Sequence, residues 1–233
     1  MKIENSKLDF LDAFFIASQS DKNGSTLDVV VDVRPDKVLF GLFADQIYLI
    51  ATVIQPNTDS GVWTYPIQKL YPLVQQFPKN TTIEFTEAEI RFGSKQRYSF
   101  QKQFSHYDHS TFDSMIKKLA EAPAKTISIS DIEKLSLTKS FQGSDANLAV
   151  TDLQQDFWVA SNKQVVCMFK TKNTLSNETV HIPRILILLS EKLKLDRMII
   201  KQYAEIRNGI PGWAIETASL SIMMADQKYQ LPN

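Results

Sequence analysis

Residues 63–101, WTYPIQKLYPLVQQFPKNTTIEFTEAEIRFGSKQRYSFQ, change their hydrophobic period once. After Pro66 the apolar positions are Ile67, Leu70, Tyr71, Val74 and Phe77, the spacing of one helix face. Pro66 suits the first helical turn, where its missing N–H has no intrahelical partner, and Pro78 stops the helix. The period then becomes two: Ile83 and Phe85, Ile90 and Phe92, Tyr98 and Phe100. Short polar turns separate these runs, so the stretch predicts a helix beside an antiparallel meander.

The pattern returns near the C-terminus. Ile182-Pro183 opens a second helix with Ile185, Leu186, Leu189 and Leu193 on one face, and strand-like runs follow at 198–203, 213–217 and 220–225. Pro66 and Pro183 lie 117 positions apart. Residues 1–11 and 125–135 also match at an offset of 124: a short strand, a Ser able to cap, a helix start. The chain therefore reads as two similar halves. The first adds a helix at 6–18 and strands at 27–33, 37–43 and 47–54. One face of the strand at 27–33, with Val30, Asp32 and Arg34, is the less apolar. The second half adds strands at 126–129, 147–152, 156–160, 165–171 and 178–182 and a helix at 130–141. The expected boundaries are an N-terminal domain 1–103, a connector 104–125 with a short helix at 111–120 (Phe112, Met115, Ile116, Leu119), and a C-terminal domain 126–233.

The 233 residues suffice for two domains with separate cores. Lys plus Arg equals Asp plus Glu, 26 each, so any case for nucleic-acid binding rests on charge distribution. No apolar run approaches the roughly 20 residues of a membrane span, and the N-terminus has no apolar signal core. The single cysteine, Cys167, excludes an internal disulfide framework and fits a reducing compartment. It sits in an apolar strand, where an inert thiol is expected rather than a nucleophile. His106 and His109 flank Asp108, but no Cys or further His lies near enough in sequence for a metal set, and no cofactor is expected. Seven glycines leave little room for a phosphate-cradling loop, and the carboxylates are scattered.

Two repeats, each with two helices and a run of short strands, resemble the DNA sliding clamps. The residues that carry the resemblance are IEFTEAEIRFGSKQRYSF at 83–100, DFWVASNKQVVCMFKTK at 156–172, VHIPRILILLSEKLKLDRMIIK at 180–201 and WAIETASLSIMMADQ at 213–227. The resemblance implies an α+β clamp fold of two tandem domains, each with two helices packed on antiparallel sheets. It implies edge-to-edge assembly of three chains into a six-domain ring around duplex DNA, whatever the sequence of that DNA. It also implies that the ring tethers a DNA polymerase, is opened by a clamp loader, catalyses nothing, and has no membrane partner. The place of action would be the cytoplasm of a bacterium or phage-infected cell, or a nucleus.

For the DNA-facing helices the resemblance points to Lys7, Lys69, Lys134, Lys139, Arg184, Lys192 and Lys194. Each is also what the solvated face of any amphipathic helix carries. Asp9 and Asp12 on the first helix depart from a strongly basic lining. For a groove that captures partner peptides, the candidates are Phe104, Tyr107, Tyr229, Leu231 and Pro232; packing of connector residues on their own sheet is the alternative. A clamp-fold adaptor, or a monomeric processivity factor that does not encircle DNA, is the competing expectation.

Overall fold

The computed structural model describes residues 1–19, 27–43, 47–93, 96–100, 108–121, 124–129, 131–143, 150–154, 156–162, 164–171, 179–192, 198–207, 210–216 and 220–225. The chain divides into two compact units: Met1–Ala122 with Ala218–Ile222, and Pro123–Thr217 with Met223–Asn233.

The first unit runs β1 (Lys2–Glu4), a 3-10 turn (Asn5–Leu8), α1 (Leu11–Gln19), β2 (Asp28–Val33), β3 (Lys37–Phe43), β4 (Ile47–Ile54), β5 (Gly61–Pro66) and α2 (Ile67–Gln75). Then come β6 (Thr82–Phe85), β7 (Glu89–Phe92), β8 (Gln96–Ser99) and α3 (His109–Glu121). Its strands form two antiparallel sheets, ordered β5-β2-β3-β4 and β1-β6-β7-β8. The second unit repeats the plan: β9 (Ala124–Ile129), α4 (Ile132–Thr138) extended by a 3-10 turn (Lys139–Phe141), β10 (Val150–Gln154), β11 (Phe157–Ser161) and β12 (Val166–Lys170). It continues with β13 (Thr179–Pro183), α5 (Arg184–Lys192), β14 (Met198–Arg207), β15 (Ile210–Glu216) and β16 (Leu220–Ala225), the last divided between the units. Its sheet orders are β13-β10-β11-β12 and β9-β14-β15-β16, so every strand has a counterpart in the first unit.

The prolines seen in the sequence mark the joints. Pro66 and Pro183 are the last residues of β5 and β13, and the helices begin one residue later. Pro66 is therefore the N-cap of α2 rather than part of its first turn, and Ile67 N donates to Leu27 O at 3.0 Å. Pro72 lies inside α2 and cannot donate to the Gln68 carbonyl, but both residues are exposed, so water can take that acceptor. At the other end, Asn5 Nδ2 donates to the carbonyls of Val74 (3.2 Å), Phe77 (2.8 Å) and Pro78 (3.2 Å). A side chain from the start of the unit thus satisfies the orphan carbonyls that end α2.

The first unit's core interleaves its helices with both sheets. Phe10 meets Phe14 and Phe40 at ring distances of 5.2 and 4.9 Å, and Phe85 meets Phe40 at 6.1 Å and Tyr65 at 5.8 Å. Tyr65 donates its hydroxyl to Thr86 O, and burial raises its pKa well above the ordinary phenol value. The second unit's core holds Trp158, Leu153, Leu135, Ile182 and Leu186. Inside it the Thr138 and Thr151 hydroxyls lie 2.6 Å apart, and Gln142 Nε2 donates to Thr151 Oγ1 at 2.9 Å.

Several expectations are modified. Residues 61–66 form a strand that sequence reading passed over, because its alternation is cut short by Pro66. The first helix is a 3-10 turn followed by a shorter α-helix. The less apolar face of β2 is not open to solvent: Asp32 is fully buried, because α3 covers that face. Asp32 Oδ2 accepts from Arg34 Nε (2.9 Å) and Nη2 (2.7 Å), and Asp32 Oδ1 lies 2.6 Å from His109 Nδ1. Arg34 Nη1 reaches Asp113 Oδ1 at 2.7 Å. Beside this network Phe112 is buried against Val30, Leu39 and Ile50, with Phe43 and Val62 at the margin. Asp108 caps α3, accepting from Thr111 N at 3.0 Å and Ser110 Oγ at 2.6 Å, and these bonds lower its pKa.

Candidate nucleic-acid interface

In the first unit α1 packs beside α2 on the sheets. Leu11, Phe14 and Ala17 of α1, with Ile67, Leu70 and Val74 of α2, turn inward, which leaves Asp12, Phe15, Gln68, Lys69, Pro72 and Gln75 toward the outer side. Phe15 stacks on Tyr71 at 4.3 Å, and Gln75 Nε2 donates to Asp12 Oδ1 at 3.2 Å. Burial, then the hydrogen bond to Asp12, pushes the Tyr71 hydroxyl up to about 12, so it stays a neutral donor. Lys7, on the 3-10 turn, and Lys69, in the first turn of α2, are exposed. Asp9 is engaged by Lys79 at 2.5 Å.

In the second unit α4 packs beside α5 and brings four predicted cations together. Lys134 Nζ donates to Lys170 O at 2.9 Å, and Lys139 pairs with Glu191 of α5. Arg184 and Lys192 are exposed at the two ends of α5. Lys194 lies outside the described residues, as do Phe104, Tyr107, Tyr229, Leu231 and Pro232. The second unit therefore gathers cations beside its helix pair, with Glu191 of α5 answering one of them, whereas the first unit's helix pair carries Lys69 alone. A strong attraction for polyanions would need a denser array.

Two cations stand where helix stability alone would not put them. Arg184 opens α5 and Lys69 sits in the first turn of α2. A positive charge at a helix N-terminus opposes the helix dipole by about 0.3–1 kcal/mol. His109, one of the residues weighed as a metal ligand, instead contacts the Asp32 carboxylate. Sequence reading missed the Asp32–Arg34–His109–Asp113 network; its signal was a charged pair ending a valine-rich strand. It also missed the exposure of Val165, Val166 and Met168.

No protein-family model matches the chain, and no curated protein is similar to it in sequence. Solved structures are similar over the whole chain. The sliding clamp (DNA polymerase III subunit beta) of Bartonella birtlesii, bound to griselimycin, matches with a TM-score of 0.68 at 13% identity, covering 100% of this chain and 66% of its own. The beta clamp of Helicobacter pylori, bound to a DNA ligase peptide, matches with a TM-score of 0.61 at 15% identity, covering 100% and 68%. The Caulobacter crescentus polymerase III beta subunit gives 0.65 at 12%, covering 100% and 67%. The chain thus spans about two thirds of the length of these clamps. Two repeated units of paired helices on antiparallel sheets, matched along their whole length by these structures, give the chain the α+β fold of the sliding clamps, as a distant member of that fold.

Proposed function

We propose that the chain is a non-enzymatic subunit of a ring that encircles duplex DNA and tethers a replicative polymerase to it. The observation that carries this reading is the match of both units, over the full chain, to polymerase beta clamps. Three copies of a two-unit chain supply the six domains that such a ring needs. Strands β8 and β12 each end a sheet and would be the edges at which copies join, so that closure removes them from solvent. Exposed Lys7, Lys69, Arg184 and Lys192 would meet phosphates without reading bases, and the first-turn positions of Lys69 and Arg184 favour a role outside helix stability. The polymerase and a ring-opening loader are the implied protein partners, in whichever compartment replicates the DNA. A tether acts by raising effective concentration, and no chemical step is required of the chain.

A clamp-fold adaptor that binds proteins without enclosing DNA is the second reading. It is favoured by the pairing of Lys139 with Glu191 of α5 and by Asp12 on α1, which leave the helix faces only weakly cationic. Sedimentation over a range of concentrations, followed by retention on nicked circular DNA, separates the two. A mass of three chains, with retention lost when the circle is cut, supports the ring. A monomer or dimer that leaves circles and linear DNA at the same rate supports the adaptor.

A further inference from the structure

The polar half of the seat under α3 is satisfied without the helix. Asp32 is fully buried, and both bonds to its Oδ2 come from Arg34, two residues further along the chain. A buried charge that loses its partner is strongly destabilising, but Asp32 keeps Arg34 when α3 leaves. What α3 supplies lies at the rim. His109 Nδ1 stands 2.6 Å from Asp32 Oδ1, and Arg34 donates to Asp113 Oδ1 at 2.7 Å and to the His109 carbonyl at 3.1 Å. The His109 and Asp113 side chains are 50% and 59% exposed, and ion pairs this wet contribute little. Departure of the helix therefore releases one acceptor, Asp32 Oδ1, and one donor, Arg34 Nη1, from a pair that stays intact.

The apolar half is a socket cut for a ring. Gly41 leaves the room: a Cβ there would stand 2.9 Å from the Phe112 ring. Val30, Leu39 and Ile50 form the walls, and Phe43 meets Phe112 edge-on at 5.5 Å. We propose that α3 is a displaceable strap on this seat, an internal competitor for a helical peptide of a partner protein. That peptide carries an aromatic residue for the socket, a hydrogen-bond donor three residues before it and a carboxylate directly after it. The spacing is that of His109, Phe112 and Asp113. Asp32 Oδ1 calls for the donor and Arg34 Nη1 for the carboxylate. A helix of this pattern recovers the contacts that these three residues give up, so exchange is decided by the difference between two affinities. The seat lies within the first unit and does not depend on enclosure of DNA, so its failure would leave the ring reading untouched.

The test uses the full chain and a fluorescent synthetic peptide of residues 108–121, followed by anisotropy. The native chain is expected to bind the peptide saturably. A Phe112→Ala chain, whose own plug is gone, is expected to bind it about tenfold more tightly. A peptide carrying Phe112→Ala is expected to bind the native chain at least about tenfold more weakly, and one carrying Asp113→Asn about threefold more weakly. Amide exchange of the native chain keeps the test independent of how well the variant folds. At saturation with peptide, α3 is expected to lose protection while β2 and β3 keep theirs. A native chain that does not bind the peptide overturns the proposal, because α3 is then a fixed part of the core. Protection of α3 that is unchanged at saturation also overturns it, because the peptide then sits elsewhere. Equal binding of the native and Phe112→Ala peptides, or of the native and Asp113→Asn peptides, overturns the chemistry assigned to the competitor.

Discussion

At the scale of single residues, the fold's tolerances are set by charges and volumes that a pattern of apolar letters does not display. Asp28 begins β2 with one carboxylate oxygen buried and unpartnered, and burial raises its pKa above the ordinary 3.8. The folded state therefore binds this proton more tightly than the unfolded chain. The resulting stability is present below the unfolded pKa and is lost as pH rises through the folded one. Asp28→Asn should thus raise the unfolding free energy measured in urea at pH 7, by less than about 1 kcal/mol because much of the group still meets solvent, and should change little at pH 3. Gly41→Ala works through volume. The added Cβ would fall 2.5 Å from the Phe43 ring and 2.9 Å from Phe112, and a loss of about 1–3 kcal/mol is expected in chemical denaturation. Neither residue stood out in the sequence. Asp28 reads as a strand-edge acid, and Gly41 as a weak spot in an apolar run, until its neighbour across the sheet is known.

Among the elements, α3 separates what was legible from what was not. Its apolar spacing at Phe112, Met115, Ile116 and Leu119 was visible, and the helix extends that prediction at both ends to His109–Glu121. Its docking place was not visible, because the buried partners of Phe112 are 62 to 82 residues away in sequence, on strands that alternate in or out with equal plausibility. The buried Asp32 could be found only once α3 was laid over β2. The helix pairs and their prolines were legible because they rest on local periodicity. Strand β5 was lost because one proline served as the end of a strand and the cap of a helix. Phe112→Ala should cost about 3 kcal/mol, the usual effect of emptying an aromatic site, and should speed amide exchange in α3 before that in β6 and β7. Phe112→Leu should recover part of the loss. Equal acceleration throughout the first unit would instead mean that α3 and the sheet open as one.

For the whole molecule, the repeat was the most secure inference from sequence, because it needed only relative spacing. The fold followed from it, whereas the charged site followed only in part. A lysine's letter does not reveal its acid partner, and Lys139 and Lys134 both proved to be engaged within the second unit. That engagement sets a measurable expectation. A protein making six to ten phosphate contacts loses about 10³–10⁵ in affinity between 50 and 200 mM salt. With its helix charges partly answered internally, this chain should show a loss on short linear duplexes nearer to about tenfold over that range. Competition assays at four salt concentrations would measure the slope, and a steep one would mean that the internal pairs open on DNA.

The joint at Pro66 also couples two elements mechanically. The last residue of β5 serves as the cap of α2, and Ile67 N is held by Leu27 O beside β2, so the helix has no slack against the sheet that carries it. Strand and helix are therefore expected to lose their amide protection together rather than in turn.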